Sequence, residues 1–232
     1  MLIVIDKRAP EEAKRRLDHF GEVVEFSTQN ITYEAISGHP DIFLCQTPES
    51  LICAPNLPPS HFKLFKDNKI DFLIGENPVG KLFPDTSHYN CLVNEQCIFH
   101  KSPYTDVRII ELNNVQEFVN LPQAYTRCSL IELPSKKFIT SDKGIEKVLK
   151  NRKLKVHYFP PNEILLPAMP HGFIGGAMGI NSERLFVLGN PDFHSWGKEF
   201  KALIDQENIE LISLYDGPLF DGGGIFFLES KE

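Results

Sequence analysis

Cysteines are the strongest nucleophiles in this sequence, and one of its five cysteines stands close to a histidine. Cys91 lies three residues after His88 in the segment SHYNC. A thiolate beside an imidazole can attack an electrophilic carbon, because the imidazole removes and returns a proton. Free cysteine is also among the most buried residue types, so a core position is the competing explanation. We therefore take Cys91 with His88 as a candidate catalytic pair and Cys128 as a further candidate thiol.

A second set of polar residues stands where apolar segments end, several of them beside glycines. Glu76 follows the segment IDFLIG, and Asp216 follows IELISLY. Two carboxylates without a nearby lysine attract a guanidinium or ammonium group through charge-assisted hydrogen bonds. Turn formation is the competing explanation, above all for an aspartate before glycine. The residues that we expect to bind a small, cationic ligand are Glu76, Asn77, Asn90, Arg127, Asp216 and Asp221.

Metal and phosphate sites are disfavoured by the spacing of the residues that would form them. Asp85 and His88 are suitably spaced for a metal, but no third ligand stands near them. His39 and Asp41 flank the start of a predicted hairpin, where turn formation explains them. The glycine run at 221–224 leads into a strand, whereas a phosphate loop opens a helix. We therefore expect no metal and no cofactor.

Composition narrows the class of protein. The 232 residues, 42% of them hydrophobic, are enough for one domain with a sizeable core, which we place over residues 1–232. The net charge of −7 argues against a general nucleic-acid binder, which needs a positive surface. No apolar run approaches the ~18–20 residues that cross a bilayer. An odd number of cysteines without an export signal indicates reduced thiols and a cytoplasmic location.

The predicted secondary-structure elements recur in a fixed order of hairpin, helix and strand. Predicted hairpins begin near residues 41, 88, 127, 173 and 218, and predicted outer strands begin near 22, 71, 106, 154 and 209. The third of these strands is the segment Asp106–Leu112, which has no helix before it. An ordinary α/β sheet is the alternative, but parallel βαβ units do not alternate with tight hairpins in this way.

The two ends of the chain complement one another. The last predicted hairpin, Gly217–Ser230, has no helix and strand after it. The N-terminus supplies a helix and the strand Glu22–Phe26 without a long hairpin before them. Joining the ends would complete a fifth unit, so the fold class we predict is an α/β propeller of five pseudosymmetric repeats, closed by the two termini.

Four segments carry a resemblance to a known superfamily: IGENPVGKLFPDTSHYNCLVNE, QAYTRCSL, HGFIGGAMGI and LYDGPLFDGGGIFFLE. With the five repeats, they make the chain similar to the pentein fold of the guanidino-group-modifying enzymes. These are the arginine and agmatine deiminases, dimethylargininase and the amidinotransferases. The resemblance implies a five-bladed α/β propeller whose central channel holds the ligand.

The resemblance also implies where the family's catalytic residues would fall, and the matching positions differ. The family's cysteine nucleophile belongs to a segment like G-G-I-H-C, and Phe227 takes its place in GGIFF. The family's acid/base belongs to a G-H-x-D or G-H-x-E segment, and Phe173 takes the histidine position at 172–175. A phenyl ring supplies neither a thiolate nor a proton donor. We therefore expect no arginine or agmatine deiminase activity.

Three functions stay open at this point. The first is binding of a small cationic guanidino or amino-acid-like ligand without the family's chemistry. The second is a hydrolase or amidinotransferase-like reaction with a relocated nucleophile such as Cys91. The third is a scaffold that binds a macromolecule, as the ribosome anti-association factor of the same superfamily does.

Overall fold

The strands of the computed structural model, which describes residues 1–230, form five sheets of three strands each. In every sheet the middle strand pairs antiparallel with one neighbour and parallel with the other. The strands are β1 (Leu2–Asp6), β2 (Glu22–Phe26), β3 (Leu44–Gln46), β4 (Leu51–Cys53), β5 (Phe72–Ile74), β6 (Leu92–Val93), β7 (Cys97–His100), β8 (Glu117–Asn120), β9 (Leu130–Glu132), β10 (Phe138–Thr140), β11 (Val156–Tyr158), β12 (Met178–Asn181), β13 (Arg184–Val187), β14 (Glu210–Ser213) and β15 (Phe226–Leu228).

Each parallel pair is joined by a helix, which gives the unit of hairpin, helix and strand that the sequence predicts. The helices are α1 (Glu11–Leu17), α2 (Pro59–Asp67), α3 (Val107–Leu112), α4 (Thr126–Ser129), α5 (Lys143–Asn151) and α6 (Gly197–Gln206). Helix α5 shows why the sequence pattern predicts these helices. The Asp142 side chain caps it by accepting the Ile145 N–H at 2.8 Å, and Ile145 and Leu149 are buried on one face.

The two ends of the chain share one sheet, in the order β15–β1–β2. Ile3 lies opposite Phe227 in an antiparallel pair, and Val4 lies opposite Val24 in a parallel pair. This confirms the prediction that Glu22–Phe26 meets the C-terminal segment. That segment is one strand rather than a hairpin, because the antiparallel partner of β15 is β1 itself.

The prediction of a strand over the segment Asp106–Leu112 is wrong. Asp106 caps helix α3, since its Oδ1 atom accepts the Arg108 N–H at 2.9 Å. Ile109 alone in the helix is fully buried. The third strand of this sheet is β8, further along the chain. The β-branched residues favoured a strand locally, but the cap and the burial of one face favoured a helix.

Apolar side chains fill the space between neighbouring sheets. One core cluster joins β1 and β15 to β13, with Ile3, Phe186 and Phe227 at its centre. The rings of Phe186 and Phe227 lie 4.8 Å apart. Within residues 1–230, no helix has the length and apolar character that crossing a bilayer requires.

Candidate active site

Five polar side chains from four sheets meet in a buried cluster, which we call the central cluster. We call the strand that pairs antiparallel with the middle strand of each sheet its first strand. Each member of the cluster lies shortly before such a strand: His39 and Asp41 before β3, Asn90 before β6, Cys128 before β9 and Asp221 before β15. All five are buried. Equivalent positions of successive repeats therefore bring together residues that are far apart in the sequence.

A hydrogen-bonded chain orients the thiol of the cluster. Cys128 donates its S–H to Asp41 Oδ2 at 2.7 Å. Asn90 donates from Nδ2 to Cys128 Sγ at 3.5 Å and accepts the Cys128 backbone N–H at 3.2 Å. Helix α4 presents this thiol, although the sequence predicted that its residues open a hairpin. The hydrogen bonds with Asp41 and Asn90 thus fix the position of the Cys128 side chain.

His39 provides an imidazole whose two nitrogens have no hydrogen-bond partner among the described residues. Its side chain is 1% exposed, and its Nδ1 atom lies 4.0 Å from Asp221 Oδ1. The Oδ1 atom of Asp41 is also buried, and it has no partner within residues 1–230. Buried polar groups are almost always hydrogen-bonded, so several unsatisfied atoms in one place indicate a ligand or a catalytic role.

Glycines give Asp221 the room that it occupies. Its carboxylate accepts the N–H groups of Phe173 at 2.8 Å and Gly223 at 3.0 Å. A Cβ atom at Gly176 would overlap this carboxylate, and one at Gly223 would overlap His39. Gly223 also has a φ of +70°, which favours glycine. The glycine run thus serves close packing around an acidic group rather than phosphate binding.

Burial in the central cluster disfavours the charged forms of its acidic groups. Burial raises the pKa of Asp41 to about 6, against the opposing influence of His39 and Arg127. Burial also raises the pKa of Asp221. Burial, followed by the charges of Asp41 and Asp221, raises the pKa of the Cys128 thiol well above its usual range. A cation between these groups would lower all three pKa values, because it stabilises their charged forms.

Arg127 lines a cavity of about 360 Å³, which we call the Arg127 cavity. Its guanidinium donates to the carbonyls of Gly175 at 2.7 Å and Met178 at 3.3 Å. The same group lies 5.4 Å from the centre of the Phe226 ring. Arg127 is thus committed to the wall of the cavity, while its charge reaches Asp41.

The two residues predicted as a catalytic pair have separate partners. The Sγ atom of Cys91 lies 3.2 Å from that of Cys45, and this contact, with burial, raises the pKa of Cys91 well above its usual range. The Nδ1 atom of His88 contacts the Tyr104 carbonyl at 2.8 Å, and its Nε2 atom lies 3.8 Å from Asp85. Cys91 lines the Arg127 cavity rather than the central cluster.

The other predicted ligand residues divide into two groups. Asn90 and Asp221 belong to the central cluster. Glu76 and Asn77 instead donate their backbone N–H groups to Asp106 Oδ2, at 3.0 and 2.7 Å. Asp216 is exposed and accepts a hydrogen bond from Asn190 at 3.0 Å. None of these described contacts of Glu76, Asn77 or Asp216 reaches the central cluster.

Sequence reasoning missed His39 and Asp41 as site residues, although a signal for them was present. Gly38-His39-Pro40-Asp41 has the G-H-x-D order that the superfamily resemblance implies for the acid/base. The pattern was sought in a later repeat, at 172–175, and His39 and Asp41 were assigned to turn formation. Phe227, in the position expected for the nucleophile, packs in the core against Phe186.

Solved structures share this fold. An agmatine deiminase from C. jejuni has 11% identity and a TM-score of 0.53, covering 92% of this chain and 74% of that one. The DDAH from Pseudomonas aeruginosa, in complex with citrulline, has 7% identity and a TM-score of 0.55, covering 91% of both chains. An amidinotransferase of saxitoxin biosynthesis from Microseira wollei has 10% identity and a TM-score of 0.56, covering 91% and 87%.

Identities of this size establish the fold alone, and that fold is the one of the guanidino-group-modifying superfamily. No protein among curated sequences matches this chain significantly. A family model described as Family of unknown function (DUF6873) matches residues 4–226. Since the match spans nearly the whole sequence, the chain belongs to that family.

Proposed function

We propose that this protein is a thiol-dependent enzyme that binds a guanidinium or amidinium cation in the central cluster and transforms it through Cys128. The observation that carries the proposal is the meeting of one thiol, one unpartnered imidazole and two carboxylates in one buried site. Each of these groups has a role in nucleophilic chemistry on a cationic carbon.

The proposal includes a closed, five-fold arrangement of the sheets, with the first strand of each around a central channel. Two observations support it. The chain ends share a sheet, which leaves no repeat incomplete. The Arg127 cavity is lined from the first strand of every sheet, by Leu44, Leu92, Ile131, Ile180 and Phe226.

Charge supports a cation as the ligand. Asp41 and Asp221 are buried acids, and Asp41 Oδ1 has no hydrogen-bond partner among the residues that the structure describes. A planar cation with paired N–H groups satisfies carboxylate oxygens by charge-assisted hydrogen bonds worth ~1.5–3 kcal/mol each. The similar solved enzymes include an agmatine deiminase and a DDAH that holds citrulline. Both names point to guanidino or ureido groups.

The contacts of the thiol indicate the course of the reaction. Cys128 donates to Asp41, so its proton passes to that carboxylate as sulfur attacks the central carbon of the cation. A carbon–sulfur bond forms, and protonated His39 gives its proton to the departing amine as the carbon–nitrogen bond breaks. Water or a second amine then attacks the carbon and gives a proton to His39. The carbon–sulfur bond breaks, and sulfur takes back the proton held by Asp41. A urea product loses its remaining proton to water, whereas a guanidinium product keeps it.

Binding without turnover is the second candidate function, and the closure of the site favours it. The side chains of His39, Cys128 and Asp221 are at most 4% exposed, so a ligand that enters is sealed from water. The sequence analysis expected no deiminase activity because of Phe173 and Phe227. The presence of Cys128 with His39 removes that reason, so turnover has to be measured.

Calorimetric titration and turnover assays with matched ligands test the proposed function. We expect arginine, agmatine or methylguanidine to bind, and we expect citrulline and methylurea, which lack the charge, to bind at least tenfold more weakly. Asp221→Asn should weaken cation binding about tenfold or more. Ammonia, amine or ureido product should form with at least one of the cations. Binding only of neutral or anionic ligands would overturn the proposal.

Asp216→Asn is the matched control for this experiment. Asp216 is an exposed carboxylate whose described hydrogen bond is to Asn190, so its replacement should leave cation affinity unchanged. Weakening in Asp216→Asn with unchanged affinity in Asp221→Asn would place the ligand at the strand ends that the sequence analysis favoured, and not in the central cluster.

A further inference from the structure

We infer that His39, Asp41 and Cys128 also form a binding site for a single thiophilic divalent metal ion. One ligand atom from each of the three side chains lies within 4.8 Å of the others, and all three residues are buried. Zinc bonds to sulfur at ~2.3 Å and to nitrogen at ~2.0–2.1 Å, so one ion near the centre of this set needs only small side-chain shifts.

The unsatisfied atoms supply an independent observation that points to a ligand. Both ring nitrogens of His39 and the Oδ1 atom of Asp41 are buried, and none of them has a hydrogen-bond partner in the described part of the chain. A nitrogen lone pair and a carboxylate oxygen are the groups that a metal ion would use. The contact between Cys128 and Asp41 then exchanges a proton for the ion, because the thiolate is the form that binds metal.

The donor set indicates which ions fit. One sulfur, one nitrogen and one oxygen suit Zn²⁺ and Co²⁺, whereas Mg²⁺ and Ca²⁺ prefer oxygen alone. A thiolate and a carboxylate balance the two positive charges of the ion, and burial favours such a neutral assembly. Three protein ligands leave a fourth position for water or another small ligand.

Asp221 is suited to orient His39 toward the ion. Its Oδ1 atom lies 4.0 Å from His39 Nδ1, so a small movement gives a hydrogen bond that leaves Nε2 free for the metal. The N–H groups of Phe173 and Gly223 hold the Asp221 carboxylate in place. Carboxylate partners of this kind fix the ring and the tautomer of metal-binding histidines.

Metal binding and the proposed chemistry would exclude one another. The ion occupies the Cys128 sulfur that the reaction uses as a nucleophile, and its charge takes the place of the organic cation. This consequence, unlike metal binding itself, rests on the proposed function. The sequence analysis expected no metal because no third ligand stands near Asp85 and His88, and it explained His39 and Asp41 by turn formation.

Titration of the chelator-treated protein with Co²⁺ tests the site, because a cobalt–thiolate bond gives a near-ultraviolet charge-transfer band. We expect one equivalent to bind, Zn²⁺ to displace it, and the band to disappear in Cys128→Ser. The band should persist in Cys91→Ser, whose buried thiol lies outside the site. His39→Ala should weaken binding at least tenfold, with circular dichroism confirming the fold of each variant.

A missing band, or a band that persists in Cys128→Ser, would overturn the metal site. Guanidino turnover without cobalt binding overturns this inference and leaves the proposed function standing. Cobalt binding without any organic-cation binding or turnover sustains the metal site and overturns the proposed function.

Discussion

Replacing Cys128 with serine is expected to lower turnover of a guanidino substrate by about 10³-fold or more. A serine hydroxyl is a far weaker nucleophile than a thiolate, and removal of a nucleophile costs several powers of ten in rate. The serine can still donate to Asp41, so the fold and cation binding should survive. Steady-state rates with the best cation from the binding experiment measure the loss.

Cys91→Ser is the control for this prediction. Cys91 is as deeply buried as Cys128, but its sulfur contacts Cys45, and Cys91 forms part of the wall of the Arg127 cavity. Turnover by the Cys91→Ser variant should stay within a few-fold of that of the wild type. If Cys91→Ser were inactive and Cys128→Ser active, the relocated nucleophile would be the one that the sequence analysis favoured.

Replacing His39 with leucine is expected to abolish turnover and to raise the free energy of unfolding by about 1–2 kcal/mol. The two ring nitrogens are buried without partners, so folding removes their hydrogen bonds to water without replacement. Leucine fills a similar volume and has no polar atom to satisfy. Chemical denaturation of both proteins measures the change.

The matched control is His100→Leu, in a second fully buried histidine. His100 Nε2 contacts the Ala124 carbonyl and Nδ1 contacts Thr105 Oγ1, both at 2.7 Å. Leucine would leave these partners unpaired, so His100→Leu should lower the free energy of unfolding by about 1–3 kcal/mol. Equal destabilisation of the two variants would make His39 a structural residue and remove it from the proposed mechanism.

The repeat order was predictable because each repeat carries local signals. Asp142 before an amphipathic segment marks a helix, and the short polar turns mark hairpins. The prediction of a strand over Asp106–Leu112 is wrong because the side chain of Asp106 makes two sets of contacts that β propensity does not take into account. It caps α3 and also accepts the backbone N–H groups of Glu76 and Asn77.

The site was predictable only in part, since equivalent positions of different repeats converge on it. Asp221 and Asn90 were predicted as ligand-binding residues because they stand at the ends of apolar segments, Asp221 beside a glycine. His39 and Asp41 were set aside as turn-forming residues, because the G-H-x-D pattern was sought only at 172–175. Nothing in the sequence alone joins Gly38-His39-Pro40-Asp41 to a thiol near residue 128.

Alkylation mapping tests whether Cys128 reacts with a cation held in the central cluster. The protein is treated with an alkylating amidinium, such as a haloacetamidine, and in parallel with the neutral haloacetamide of the same size, and the labelled peptides are identified by mass spectrometry. We expect the cationic reagent to label Cys128 much faster than the neutral one does, while the less buried Cys97 shows no such preference. Preferential cationic labelling of Cys91, or equal labelling of Cys128 by the two reagents, would contradict this expectation.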